Sequence, residues 1–189
     1  ALAVIEHIRA TPDLSLGVVA LSESQRQTII RELETARRAN PDCETFFNQT
    51  GRDRFFVKNL EQVQGDERQV MFVSIGYGKQ DDGTLSLNFG PVNQDGGAKR
   101  LNVLATRSRR RTEFFTNLTP EDLERPDGVA DGIEFLRDLL LYARDGKLPA
   151  TYITTPVEPT PLASLVEERL AAAGWACDQN LGFGAELGI

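Results

Sequence analysis

Residues 57–78 read VKNLEQVQGDERQVMFVSIGYG and join a polar, glycine-bearing turn to an apolar run. Val70, Met71, Phe72, Val73 and Ile75 leave no polar face between them, which is the pattern of a strand covered on both sides in an α/β sheet. Such a strand belongs at the middle of a domain. A short strand at residues 55–58 precedes it. The segment between the two, 59–67, is polar yet too compact to be a linker, and segments of that kind hold ligands more often than they span gaps.

On either side of this stretch the same alternation of apolar strand and periodic helix recurs. Val4, Ile5 and Ile8 fall at helical spacing over residues 1–10, and Thr11-Pro12 ends that helix. Residues 16–21, LGVVAL, read as a buried strand. Ser22 opens a helix carrying Ile29, Ile30, Leu33 and Ala36, with Pro41 beyond its end; Ser22 and Gln25 have the spacing of a capping box. Residues 43–54 read as irregular. After the central strand come a turn at 78–83 and a long glycine- and proline-bearing loop over 85–98, a length small domains rarely keep without a use. Residues 100–108 read as a helix and 112–116 as the next strand. Thr119-Pro120-Glu121-Asp122 is a helix start, leading into an amphipathic helix through Val129, Ile133, Leu136, Leu140 and Ala143 that ends near Gly146.

A chain of 189 residues, 40% hydrophobic, is long enough to bury one substantial core. The net charge of −7 does not announce a nucleic-acid binder, but its distribution is uneven. Lys99, Arg100, Arg107, Arg109, Arg110 and Arg111 place six cations in thirteen residues without one carboxylate, either a local positive field or a solvated face. Cys43, Cys177 and His7 have no metal-ligand spacing, which argues against zinc, a Cys/His nucleophile pair or a disulfide framework. With no apolar stretch long enough to span a membrane and no leader pattern at the N-terminus, the expectation is a reduced, cytoplasmic protein without a membrane partner.

Residues 63–67, VQGDE, followed by an apolar strand and then by residues 100–109, RLNVLATRSR, resemble motifs V and VI of superfamily-one DNA and RNA helicases. The order and spacing of the pair carry the likeness, which covers roughly residues 16–115 and is closest to the Upf1-like and Dna2-like branch. It implies the second RecA-like domain of such an enzyme: a parallel α/β sheet with helices on both faces, over residues 1–146. A proline-rich linker at 147–161 follows. Residues 162–189 resemble, more loosely, the opening helix and strand of restriction-endonuclease-like domains related to very-short-patch-repair endonucleases. Ala163 stands where those often carry a glutamate, so no nuclease metal site is implied.

The resemblance assigns roles residue by residue. Arg107 matches the arginine finger of motif VI, a cation held against the charge that develops on the γ-phosphate; its alternative is a surface arginine in a basic run. Glu67 matches the glutamate that accepts a hydrogen bond from the nucleotide ribose, and its alternative is a loop carboxylate paired with Arg68. Gly65 lets backbone approach the ligand, Gln64 lies beside the phosphates, and Gln25 matches the motif IV glutamine near the nucleotide, unless it serves only the capping box. Asn59 falls where the family has threonine or serine on a nucleic-acid phosphate. Neither a phosphate-binding G-x-x-x-x-G-K-[ST] loop nor an acidic pair after a strand occurs. ATP and Mg2+ are therefore expected to be held mainly by a first RecA-like domain upstream, with single-stranded DNA as the track and RNA left open. This fragment alone is expected to be inactive. The alternatives from other classes are a nucleic-acid or nucleotide-binding module without motor activity and a nuclease accessory protein.

Overall fold

The computed structural model describes residues 1–80, 82–124, 128–147 and 161–174, the last from Ser164 onward in its side chains. The chain divides into two compact units, Ala1–Arg144 and Asp145–Ile189. In the first, four strands form one sheet: β1 (Leu16–Ala20), β2 (Phe56–Asn59), β3 (Arg68–Ser74) and β4 (Ser108–Phe115). Their order is β2-β1-β3-β4 and every neighbouring pair is parallel. The apolar run that reads as a central strand is β3, flanked on both sides, with Val70, Met71 and Val73 at most 1% exposed.

Side chains alternate across a pleated strand, so one run feeds two cores. Val18, Val70 and Phe72 point into a core closed by α1 (Leu2–Ala10), α2 (Glu23–Ala39) and α3 (Glu44–Phe47), through Val4, Ile5, Ile8, Leu33 and Phe46. Val19, Met71 and Val73 point into the other, closed by α4 (Gly97–Ala105) and α5 (Asp131–Asp145) through Leu101, Leu104, Ile133, Leu136 and Leu140. Each such buried aliphatic or aromatic side chain is worth about 1.5–3 kcal/mol of transfer free energy, which explains why β1 and β3 tolerate no polar face. The fold is thus an α/β sheet with helices on both faces, consistent with a RecA-like domain.

Parallel neighbours require each connection to return from one end of the sheet to the other. From β2 to β3 this is done by residues 60–67 alone, pinned to the second core by Leu60 and Val63. Gly65 turns that segment at φ +85, in the left-handed region that glycine enters without Cβ strain.

Three expectations are corrected. The helix expected through Ser108 stops at Ala105, where the Thr106 hydroxyl donates back to Asn102 O and Val103 O, and β4 starts at Ser108. Arg107 is accordingly in the helix-to-strand turn, and Arg109, Arg110 and Arg111 are on the strand. Between Arg68↔Ser108 and Val70↔Arg111 the register slips by one residue, a bulge that bends β4 just after Arg107. Residues 43–54 are not wholly irregular, because burial of Cys43 and Phe46 winds a 3₁₀ turn at Pro41–Cys43 and then α3. Thr119 does cap, reciprocally with Asp122, but it starts a separate 3₁₀ turn at Pro120–Leu123; Gly128, at φ +82, stands between that turn and α5.

In the second unit the described element is α6 (Pro161–Ala172), with Leu165, Val166 and Leu170 exposed. The expected linker from residue 148 and the strand at Trp175-Ala176-Cys177 lie outside the described residues.

Candidate functional site

β3 and β4 are parallel, so the residues just before them share the amino edge of the sheet. Glu67 precedes β3 and Arg107 precedes β4, and the two are tied because Arg68 N donates to Arg107 O at 3.1 Å. The Arg107 guanidinium is half-buried and fixed by donation to Val103 O (2.9 Å) and Thr106 Oγ1 (3.2 Å). Two neutral oxygens orient it without neutralising it. Of the six cations in the basic run, Arg109 is paired with Asp53 and Arg111 with Glu113, whereas Lys99, Arg100, Arg107 and Arg110 have no carboxylate partner among the described residues.

Gln64, Gly65 and Glu67 are exposed on the turn beside this pair. The turn is held by Asp66 N donating to Val63 O (3.1 Å) and by an ion pair between Lys58 and Asp66. Between the turn and α4 lies a cavity of about 340 Å³ lined by Leu60, Glu61, Gln64, Lys99, Arg100 and Val103, the last being the residue whose carbonyl orients Arg107. The arrangement offers an exposed carboxylate, a backbone turn that allows close approach, and unneutralised cations, which suits a polyanion bearing hydroxyl groups. Glu67 is not paired with the Arg68 guanidinium, which bonds carbonyl oxygens instead.

Gln25 and Asn59 occupy the carboxyl edge. Ala20 is in register with both Asn59 and Ser74, and Gln25 Nε2 donates to Ser74 Oγ at 2.8 Å. From that edge to Arg68 is the length of β3, roughly 20 Å at strand rise. Gln64, Gly65, Glu67 and Arg107 are therefore brought together, and Gln25 is not with them. Half of its capping box forms: Ser22 Oγ accepts from Gln25 N at 3.3 Å, while the Gln25 side chain crosses to β3 and does not return to Ser22. Its Oε1 is buried and has no hydrogen-bond partner among the described residues, and the amide lies so flat on Gly76 that a Cβ there would collide with it. Asn59 Nδ2 donates to Glu23 Oε2 (2.9 Å) and its Oδ1 accepts from Gln62 N (3.0 Å). Hydrogen bonds from Arg26, above all, and from Gln27 and Asn59 hold the Glu23 carboxyl down to about 2. No group of three or more His, Cys, Asp or Glu among the described residues could hold a metal ion.

No protein family profile matches the chain. It is 33% identical over 144 residues to an uncharacterized ATP-dependent helicase of Mycoplasma genitalium, covering 73% of this chain and 12% of that protein. It is 32% identical over 132 residues to that protein's homolog in Mycoplasma pneumoniae, covering 68% of this chain and 11% of the homolog. The chain is related to a segment of helicase-named proteins. It spans only a small part of their length. Residues whose part in this geometry the sequence leaves unmarked are Glu23, Val103 and, above all, Arg68, which the sequence offers only as a partner for Glu67. A basic residue at the head of an otherwise apolar strand is the one signal that marks Arg68; the bond between Glu23 and Asn59, 36 positions apart, left no local trace.

Proposed function

We propose that this chain is the second motor half of an ATP-dependent superfamily-one helicase, over residues 1–146, followed by a linker at 147–161 and the start of a nuclease-like domain at 162–189. Arg107 serves as the arginine finger, Glu67 accepts a hydrogen bond from the ribose, and Gln64 and Gly65 border the phosphates. A planar, permanently charged guanidinium held by two neutral oxygens meets its full complement of charge only when the γ-phosphoryl group moves toward the attacking water, so it favours the transition state over bound substrate. Mg2+ would neutralise phosphate charge in that reaction, and its ligands would come mainly from a first RecA-like domain that also supplies the phosphate loop. Asn59, on the opposite edge, faces a single-stranded nucleic-acid track; Gln25, on that edge too, keeps the role near the nucleotide that its match to the motif IV glutamine gives it.

The observation that supports this reading is the tie between Glu67 and Arg107 through Arg68, with Arg107 free of any carboxylate among the described residues. Relatedness to helicase-named proteins supports it independently. The test is Arg107→Ala in the polypeptide that joins this chain to its first motor half. The expected loss in kcat for ATP hydrolysis is roughly 10³- to 10⁵-fold, with little change in nucleotide binding. Arg110→Ala, on β4 and outside the motif match, is the control. Equal losses for both, growing with salt, would mean a diffuse field for nucleic acid and would sink the finger.

A further inference from the structure

Arg68 is 3% exposed, the first residue of β3, and an expensive thing to bury. Its guanidinium spreads over the Phe56 ring with its carbon 4.5 Å from the centroid. It donates from Nε to Arg54 O at 2.8 Å and from Nη1 to Glu67 O at 2.6 Å. The nearby carboxylates are committed elsewhere, Asp66 to Lys58 and Asp53 to Arg109. Desolvation, the dominant influence, lowers its pKa. A cation buried against carbonyl oxygens without a bonded counter-ion is no efficient way to stabilise a strand, since an apolar side chain would satisfy the same position at smaller cost.

What the arrangement does achieve is geometric. The Arg68 side chain grips the carbonyl of Glu67, and the Arg68 main-chain N–H grips the carbonyl of Arg107. We infer that Arg68 is the positioning residue of this site: its guanidinium fixes the single peptide unit between residues 67 and 68, whose carbonyl is that of the ribose-accepting Glu67 and whose N–H holds the carbonyl of the arginine finger, so the separation of the two depends on how that side chain orients the unit. This rests on the roles proposed above for Glu67 and Arg107. Lysine cannot replace it, because a point charge has neither the fork that reaches two carbonyls in different directions nor the flat face that covers Phe56.

The experiment is steady-state ATP hydrolysis by the polypeptide joining this chain to its first motor half, carrying Arg68→Lys, Arg107→Ala or both. Misplacing a catalytic group by about 1 Å costs on the order of 100-fold, so Arg68→Lys is expected to lower kcat about 10- to 100-fold and to raise the nucleotide KM as Glu67 drifts. In the Arg107→Ala background the same change should cost less than about two-fold in kcat, because the group it aims is gone. Phe56→Leu removes the platform while keeping the guanidinium and should reproduce the kcat loss in part, which covers the case of an Arg68→Lys protein that does not fold. Arg37→Lys is the control, a second guanidinium stacked on a ring, Phe47, on the far face; turnover should be unchanged. Arg68→Lys with normal kcat beside a crippled Arg107→Ala would overturn the inference alone, as would losses that multiply in the double variant. Normal turnover in Arg107→Ala would overturn the functional reading beneath it.

Discussion

Gly132→Ala should destabilise this protein although it places a better helix former in a helix. By intrinsic propensity, alanine for glycine inside α5 gains about 1 kcal/mol. The Gly132 backbone has no positive φ that would forbid it. The obstacle is Val92: a Cβ on Gly132 would stand 3.0 Å from the Val92 carbonyl carbon and 3.2 Å from its Cγ1, and closer still to the carbonyl oxygen. Those neighbours include backbone, so no rotamer change relieves the collision, and either α5 or the 3₁₀ turn Gly90–Val92 must shift. Overpacking of this sort costs typically 1–3 kcal/mol, and a backbone clash belongs at or beyond the top of that range. The net loss is then about 2 kcal/mol. At a urea slope of about 2 kcal/mol per molar the unfolding midpoint drops by about 1 M. Gly97 meets the same carbonyl oxygen, so Gly97→Ala should behave alike, and the double variant should lose less than the sum because one displacement of Val92 relieves both. Urea unfolding followed by circular dichroism decides it. A Gly132→Ala protein as stable as the parent, or more so, would refute the close packing of α4 and α5 on that loop.

Other outcomes follow from the edges of the sheet. The isolated chain should not hydrolyse ATP with or without single-stranded DNA, and turnover in this chain that Arg107→Ala abolishes would show the site misassigned. In the joined polypeptide Glu67→Ala should weaken nucleotide binding by about one hydrogen bond to a charged group, roughly 1.5–3 kcal/mol, read by calorimetry. The Glu23 carboxyl, held to about 2, should titrate well below an ordinary glutamate in a carbon-detected NMR series. Its folded pKa is depressed, so what the contact contributes is present above the ordinary glutamate range and is lost as pH falls through about 2; Arg26→Ala should move the midpoint back toward the ordinary value. Glu23→Gln should also tighten single-strand binding, since it removes a carboxylate that Asn59 now serves; unchanged affinity would separate that asparagine from the nucleic-acid track.

Much of the architecture was legible because strong local patterns and burial agree. The unbroken apolar run at Val70–Val73 left β3 no place but the centre, and Leu33, Leu136 and Leu140 declared their helix faces by period. The end of α4 was not legible, because Leu101, Leu104 and Ala105 keep helical spacing into residues that prefer neither state. What decides it is the ladder bond from Arg68 N to Arg107 O, made by a residue distant in sequence. The candidate site divides the same way. Motif spacing named Gln25, Gln64, Gly65, Glu67 and Arg107 in chain order, but a motif does not carry strand direction, so it could not say that Gln25 stands at the opposite end of β3 from Arg68. Arg68 was legible only as a partner for the Glu67 carboxylate, because its actual partners are main-chain carbonyls, which every residue has and no composition reveals.

The connection between Asn59 and Arg68 is short for the distance it covers. Six residues of strand rise and two strand spacings put its ends about 22 Å apart, against a fully extended reach of about 30 Å for nine peptide steps. Two turn bonds, Gln62 N to Asn59 O and Asp66 N to Val63 O, consume much of the remainder. The segment therefore behaves as a taut strap anchored at Leu60 and Val63. A pull of an ångström or two on Asn59 has little slack to disappear into and arrives at Gly65 and Glu67, so this strap links the two edges of the sheet mechanically.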